Sequence, residues 1–397
     1  MKLAFHPCSP APASAFIKMP YVLVFLASLL AALVLTPVAR WLSFRWGLVA
    51  EPGGRRRHQG RVPKLGGLAL LAAYLVGITL TYLLLPPAVA EDALRLHGVV
   101  LGSLVVVAGG LIDDRRELRP GTQFLIQFAG AAVAMSHIIF IEVFTNPFAG
   151  DALWTWGPLD MIFRIDEGRV WIWRPLALLF TLFWMVGMIN AVNFLDGLDG
   201  LAAGVGAVAA LLFAWHSYRL QQVTVPLFPL ALAGALIGFL FYNFAPARIF
   251  LGTAGAYLLG YNVATLSILS PAKLSTALLV MAVPILDVAW QIFDRLRRGQ
   301  HPFQGDRGHL HVRLSDGGLP TPQIVLGYYV TATAFGLIPV FVSSGLVKIL
   351  LWLALAVVVL ILLAWLSARR EQLKAGKEKD TWVARSGDRP QQKAGKK

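Results

Sequence analysis

The sequence predicts an all-α polytopic membrane protein of about eleven transmembrane helices, N-terminus outside and C-terminus inside. Three observations carry this. The 397-residue chain is 57% hydrophobic, with a mean hydropathy of +0.66. Charged residues make up 14%, where a soluble protein carries about a quarter. The apolar residues come in blocks of about twenty, the length that crosses a bilayer as a helix.

The blocks run Tyr21–Leu42, Leu65–Leu85, His97–Ile112, Phe124–Ile141, Leu176–Phe194, Leu201–His216, Val225–Tyr242, Ala256–Leu269, Thr276–Ile292, Val325–Ser343 and Leu346–Ala368. With the N-terminus outside, the inward connections and the tail hold 26 of the 35 Lys and Arg. Basic residues concentrate in cytoplasmic loops, so this asymmetry sets the orientation.

Residues 1–18, "MKLAFHPCSPAPASAFIK", are Pro/Ala/Ser-rich and read as an unstructured extension. The membrane domain spans 19–368, and 369–397 is a basic, apolar-poor tail that reads as disordered; a solubilising tail on the inner side is the favoured reading, and contact with anionic lipid headgroups the alternative. The first block lacks a small-residue cleavage site and reads as a retained span. The outward loop "TNPFAGDALWTWGPLDMIFRIDEGRVWIWRP" is Trp-rich and suits a small periplasmic hairpin with indoles at the headgroup level.

The net charge of +14 could suggest nucleic acid, but its placement follows the membrane, so no nucleic-acid partner is expected. A single cysteine, Cys8, excludes a disulfide framework and a cysteine metal site within one chain.

Polar residues collect in the inward loops. Asp113 and Asp114 close the third block, Asp196 and Asp199 follow the fifth, and Asp287 lies in the ninth. Carboxylates at helix ends in a membrane are expensive and usually functional. Gathered against arginines, they are the inventory for holding Mg2+ and a diphosphate together. In "NAVNFLDGLDG" Asn190, Asn193, Asp196 and Asp199 recur every third residue, so successive members are helix neighbours. Asn donates and accepts while Asp accepts, which suits a base or a sugar; an ordinary helix end and turn is the alternative. His309 and His311 flank Leu310 near Arg307 and Arg313. Two histidines alone are a weak metal signal. Phosphate binding is the more natural reading, beside a merely solvated basic loop.

These loops, in order from about Leu42 to Leu314, resemble the polyprenyl-phosphate N-acetylhexosamine-1-phosphate transferase superfamily. That group includes the translocase making peptidoglycan lipid I and the enzymes that start O-antigen, enterobacterial common antigen and wall teichoic acid. "PFQGDRGHLHVRL" is similar to the O-antigen and teichoic-acid branch. The resemblance implies a bacterial inner-membrane enzyme with a cytoplasmic active site. It would use Mg2+ to move N-acetylhexosamine-1-phosphate, GlcNAc by default, from a UDP-N-acetylhexosamine to undecaprenyl phosphate, with release of UMP. It leaves a homodimer open.

By motif, Asp113 would engage or deprotonate the lipid phosphate, and Asp114 would help hold metal or diphosphate. Asn190, Asn193, Asp196 and Asp199 match "NxxNxxDGLDG" and would contact nucleotide and metal, with Asp199 a ligand. Asn243 and Arg248 match "NFxPAK/R"; His309, His311 and Arg313 match the histidine stretch and would bind phosphate or sugar. Four positions depart from the pattern. The metal-binding aspartate of "F(M/L)GDxGS" is Thr253 and its serine is Ala256; a lysine after the paired aspartates is Gln123, and a last histidine is Val312. A threonine hydroxyl can coordinate Mg2+ but brings no charge. Two readings follow: a divergent enzyme with a rebuilt site, or a relative that binds its ligands without turnover. A transporter fits worse, because the polar residues sit in loops and not at mid-membrane.

Overall fold

The computed structural model describes residues 15–51, 60–141, 143–145, 153–155, 161–165, 169–173, 175–269, 273–300, 308–342 and 344–365. Helix α1 (Ala15–Arg45) opens the chain, starting inside the stretch expected to be unstructured. A short antiparallel pair, β1 (Val49–Ala50) and β2 (Val62–Pro63), leads into α2 (Gly66–Leu84), α3 (Ala90–Arg116) and α4 (Pro120–Ser136). Strands β3 (Val143–Thr145), β4 (Leu153–Thr155), β5 (Met161–Ile165) and β6 (Arg169–Trp173) precede α5 (Pro175–Leu195), α6 (Leu201–Arg219), α7 (Leu227–Asn243) and α8 (Gly252–Ile268). Then come α9 (Lys273–Val280), α10 (Ala282–Arg297), α11 (Leu310–Asp316), α12 (Thr321–Phe341) and α13 (Gly345–Trp365).

Each of the eleven predicted blocks holds a helix, and among the described residues seven helices are long and apolar enough to cross a membrane. The ninth block, expected as one span, is two helices, α9 and α10, bent by 67° at Met281. Pro284 accounts for the break: it lacks an N–H, and its ring meets the carbonyl four residues back, at Val280. Counted together the pair makes an eighth span. The remaining predicted spans, α4, α7 and α8, have 17 residues each. The Trp-rich loop forms two antiparallel pairs, β3–β4 and β5–β6, where one hairpin was expected; the position of its indoles lies outside the described residues. So do the N-terminal 14 residues, the tail beyond 365 and Arg307.

Helix α8 is the axis of the bundle, buried from Ala254 to Ser267 and packed against α2, α3 and α5. Several of its polar side chains are paired, though Asn262 Oδ1 has no hydrogen-bond partner among the described residues. Asn262 Nδ2 donates to Ser103 Oγ of α3 (2.8 Å), and Thr265 donates back to the Tyr261 carbonyl (2.9 Å). Such pairing is favoured where no water reaches. The outer helices turn apolar side chains outward, Val34 66% and Ile361 64% exposed, a face stable against lipid.

Two ends of the bundle differ. At one end, Tyr21 of α1 donates to the Val223 carbonyl and Thr224 to the Leu85 carbonyl. Arg95 of α3 reaches the Ile138 carbonyl, and Arg219 of α6 reaches Val340 of α12. The opposite end gathers the close of α3, α5 and α7 with the start of α2 and α8. Every predicted site residue lies at this second end.

Candidate active site

Helix α3 carries Glu91 and Asp92 in its first turn and Arg115 and Arg116 in its last, matching the helix dipole. It ends at Glu117, in the left-handed conformation. That stop leaves Asp113 and Asp114 on the final turn facing different partners. Asp113 is buried, and its Oδ1 accepts from the Leu118 amide (2.9 Å) and from Gln123 Nε2 (2.8 Å). Gln123, standing where the family pattern has a lysine, is thus a neutral donor to the first aspartate. Asp114 turns to the N-terminus of α8: Oδ1 accepts from the Thr253 amide (2.9 Å) and Oδ2 from the Ala254 amide (3.1 Å). Position 253 therefore meets Asp114 through its backbone, whatever its side chain. Gly252 makes this approach possible. Its φ is +72°, and a Cβ there would sit 2.8 Å from Asp114 Oδ2 and 2.6 Å from the Lys64 carbonyl oxygen.

The α5–α6 turn supplies the second group. Asn190 pairs with Gln127 of α4, Nδ2 donating to Oε1 at 2.6 Å and Gln127 returning a bond at 3.3 Å. Asn193 and Asp196, partly buried, make no side-chain hydrogen bond among the described residues. Burial, then the charges of Asp114 and Asp199, push the Asp196 carboxyl well above the usual carboxylate range. Asp196 and Asp114, from two different segments, thus share one field. Asp199 Oδ2 accepts from the Ala247 amide (2.8 Å), which ties the turn to the loop after α7.

Asn243, expected at the substrate, is buried and spends both amide atoms on backbone: Oδ1 accepts from the Gly200 amide (3.2 Å) and Nδ2 donates to the Ile249 carbonyl (2.9 Å). It joins the two loops. Arg248, by contrast, is exposed, with no ion pair among the described residues.

The histidine segment closes the site. Asp287 of α10 takes His309 Nδ1 on Oδ2 (2.9 Å) and the Leu310 amide on Oδ1 (2.9 Å), so it anchors the start of α11. His309 stacks on Phe194 (5.1 Å) and on His311 (5.8 Å). His311 lies against Gly197, where an added Cβ would overlap its Nε2. Burial, then His309, holds the His311 imidazole down to about 4, with Asp287 opposing, so it is neutral at pH 7. Arg313, expected to bind phosphate, is buried and donates to the Gly308 carbonyl and to the Leu363 carbonyl of α13 (3.2 Å).

The structure therefore brings Asp113, Asp114, Asp196, Asp199, Thr253 and His311 to one end of the bundle, with Asp114 tied to the start of α8, Asp199 to the loop after α7 and His311 to the α5–α6 turn. Asn243 and Arg313 serve mainly as ties. Sequence reasoning missed Gln127 and Lys64 as site residues. A lone glutamine in an apolar helix, four residues after Gln123, was the available signal for the first; nothing local marks the second.

Among the described residues no three carboxylate, histidine or cysteine side chains close on one metal position. Mg2+ does not require that, since it is held by one or two carboxylates with substrate phosphates and water. The donor set fits such a cation. Among the described residues Asp196 has no partner for its charge, the charges of Asp114 and Asp199 act on it, and each Asp114 oxygen keeps lone-pair capacity beside its amide bond.

These features define a polytopic helical membrane protein with a polar site of carboxylates and histidines at one end of its bundle. Residues 96–271 match the model of glycosyl transferase family 4. The chain is 33% identical over 314 residues to the undecaprenyl-phosphate alpha-N-acetylglucosaminyl 1-phosphate transferase of Haemophilus influenzae, covering 76% of this chain and 80% of that one. It is 29% identical over 348 residues to the probable undecaprenyl-phosphate N-acetylglucosaminyl 1-phosphate transferase of Bacillus subtilis, covering 86% and 89%. It is 33% identical over 333 residues to the decaprenyl-phosphate N-acetylglucosaminephosphotransferase of Mycobacterium tuberculosis, covering 76% and 78%. The chain belongs to the polyprenyl-phosphate N-acetylhexosamine-1-phosphate transferases of glycosyl transferase family 4.

Proposed function

We propose that this protein transfers GlcNAc-1-phosphate from UDP-GlcNAc to undecaprenyl phosphate. A phosphate oxygen of the lipid attacks the β-phosphorus of the nucleotide sugar. The new P–O bond forms as the bond to UMP breaks, and the product is a lipid-linked sugar diphosphate that starts a cell-surface polysaccharide of the O-antigen or teichoic-acid kind. The reaction suits a site on the cytoplasmic side of the inner membrane, where the nucleotide sugar and the lipid phosphate can meet.

The observation that carries the reading is the pair Asp113 and Asp114, held by Gln123 and by the first amides of α8, at the same end of the bundle as Asp196. Phosphoryl transfer asks for positioning and charge neutralisation more than covalent chemistry. Mg2+, held by Asp199 and Asp196 with Asp114 beside it, would neutralise the diphosphate. Asp113, fixed by Gln123 and the Leu118 amide, accepts the proton or orients the lipid phosphate. Asn193 reaches the nucleotide, and Arg248 meets a phosphate. His311, neutral, offers a hydrogen bond to the sugar or phosphate.

Thr253 supports a second reading. Its amide serves Asp114, but its side chain brings no charge, as expected of a relative that binds without turnover. The test is purified full-length protein in detergent with UDP-GlcNAc, undecaprenyl phosphate and Mg2+. Released UMP is expected, with Asp113→Asn and Asp196→Asn each lowering it by at least about 100-fold, the size expected when an electrostatic or acid–base group is lost. UDP-GlcNAc binding without UMP would select the second reading, and full turnover by both variants would show that the site lies elsewhere.

A further inference from the structure

The carboxylate cluster poses an electrostatic problem. Asp113, Asp114, Asp196 and Asp199 gather at one place, and Gln123 beside Asp113 is neutral. Mg2+ would offset part of that field for the diphosphate, and a second phosphate entering it still needs a cation of the protein beside it. We propose that Lys64, on the strand-like lead into α2, is a second protein cation, besides Arg248, that meets a substrate phosphate. This rests on the transferase reading and names one of its binding groups.

The backbone around Lys64 is held from two sides. Its amide donates to the Leu48 carbonyl (3.0 Å) and to Ser43 Oγ (3.1 Å), which fixes it to the end of α1. On the other side the segment zips onto the loop before α8. The Phe250 amide donates to the Pro63 carbonyl (2.8 Å), the Gly66 amide to the Phe250 carbonyl (3.1 Å) and the Gly67 amide to the Leu251 carbonyl (2.8 Å). The Lys64 carbonyl and the Asp114 carboxylate consequently flank Gly252, each within 3 Å of where its Cβ would be.

The Lys64 side chain is partly exposed, and its charge acts on Asp114. Yet its ammonium makes no ion pair or hydrogen bond among the described residues. A cation close enough to be felt by the site and still unpaired is available to a ligand. An ammonium on a flexible stem is also a suitable point charge for phosphate.

The experiment uses full-length protein and the variants Lys64→Met, Lys64→Arg and Lys64→Met with Gln123→Lys. UMP and uridine binding are measured, together with the KM for undecaprenyl phosphate. Removing one charged hydrogen bond is expected to weaken phosphate binding by about 10- to 100-fold. If Lys64 meets the nucleotide phosphate, Lys64→Met loses UMP affinity by that factor and keeps uridine affinity. If it meets the lipid phosphate, the KM for the lipid rises instead. Lys64→Arg should retain most of the binding, and Gln123→Lys should restore part of it. Should Lys64→Met not remain monodisperse, Lys64→Gln replaces it. Unchanged UMP affinity and unchanged lipid KM overturn the assignment of Lys64 while leaving the transferase intact. A wild-type protein that neither binds nor releases UMP removes both.

Discussion

At the scale of single residues the site depends on positions that carry no chemistry of their own. Gly252 has a left-handed backbone and stands between the Lys64 carbonyl and the Asp114 carboxylate. Gly252→Ala would add a methyl group into both contacts, and left-handed backbone alone costs a non-glycine residue about 1–2 kcal/mol. The expected result is a lower melting temperature in detergent and loss of most UMP release. A variant that melts and turns over like the wild type would mean that the loop has room to rearrange. Gln123 is a second such residue. Where the family pattern has a cation, its amide simply holds Asp113 in place.

At the scale of elements, α11 is a short helix held by charge and packing. Asp287 fixes its first turn, and His311 packs against the α5–α6 turn at Gly197. Because His311 is buried and held down to about 4, it binds no proton in the folded state between pH 6.5 and 4, whereas the unfolded chain does. Its contribution to stability is therefore present above pH 6.5 and is lost as pH falls toward 4. At about 1.4 kcal/mol per pKa unit this amounts to roughly 3 kcal/mol across that window. Melting curves of wild type and His311→Gln should show a steeper acid loss for the wild type. Parallel curves would place the acid sensitivity in another group.

At the scale of the whole molecule, alternate helices run toward the site end, and the basic residues of the connections predict that this end faces the cytoplasm. In a Cys8→Ser background, Val223→Cys lies in the α6–α7 connection at the opposite end, and Gln300→Cys lies past α10 on the site side. A membrane-impermeant maleimide added to spheroplasts is expected to label Val223→Cys only, and Gln300→Cys after permeabilisation. Labelling in the reverse order would invert the topology and overturn the proposed cytoplasmic site.

The sequence by itself determined the helical membrane class, the segments that became helices and the aspartates at their ends. Apolar runs of bilayer length and polar residues that interrupt them are local patterns, visible without any fold. The break at Met281 was also encoded locally, in Pro284, but its 67° bend was not. Only the tertiary structure decided which partners the polar residues take. The amides of 253 and 254 reach Asp114 across 139 and 140 residues, and Gln127 reaches Asn190 across 63. Asn243 and Arg313 looked like ligand contacts by residue type and became internal ties, because a buried amide or guanidinium must bond to whatever carbonyls the packing presents. Lys64 looked like one more inward-loop charge until β2 zipped onto the start of α8. Charge counted along a chain reports on the membrane; charge counted in space reports on the site.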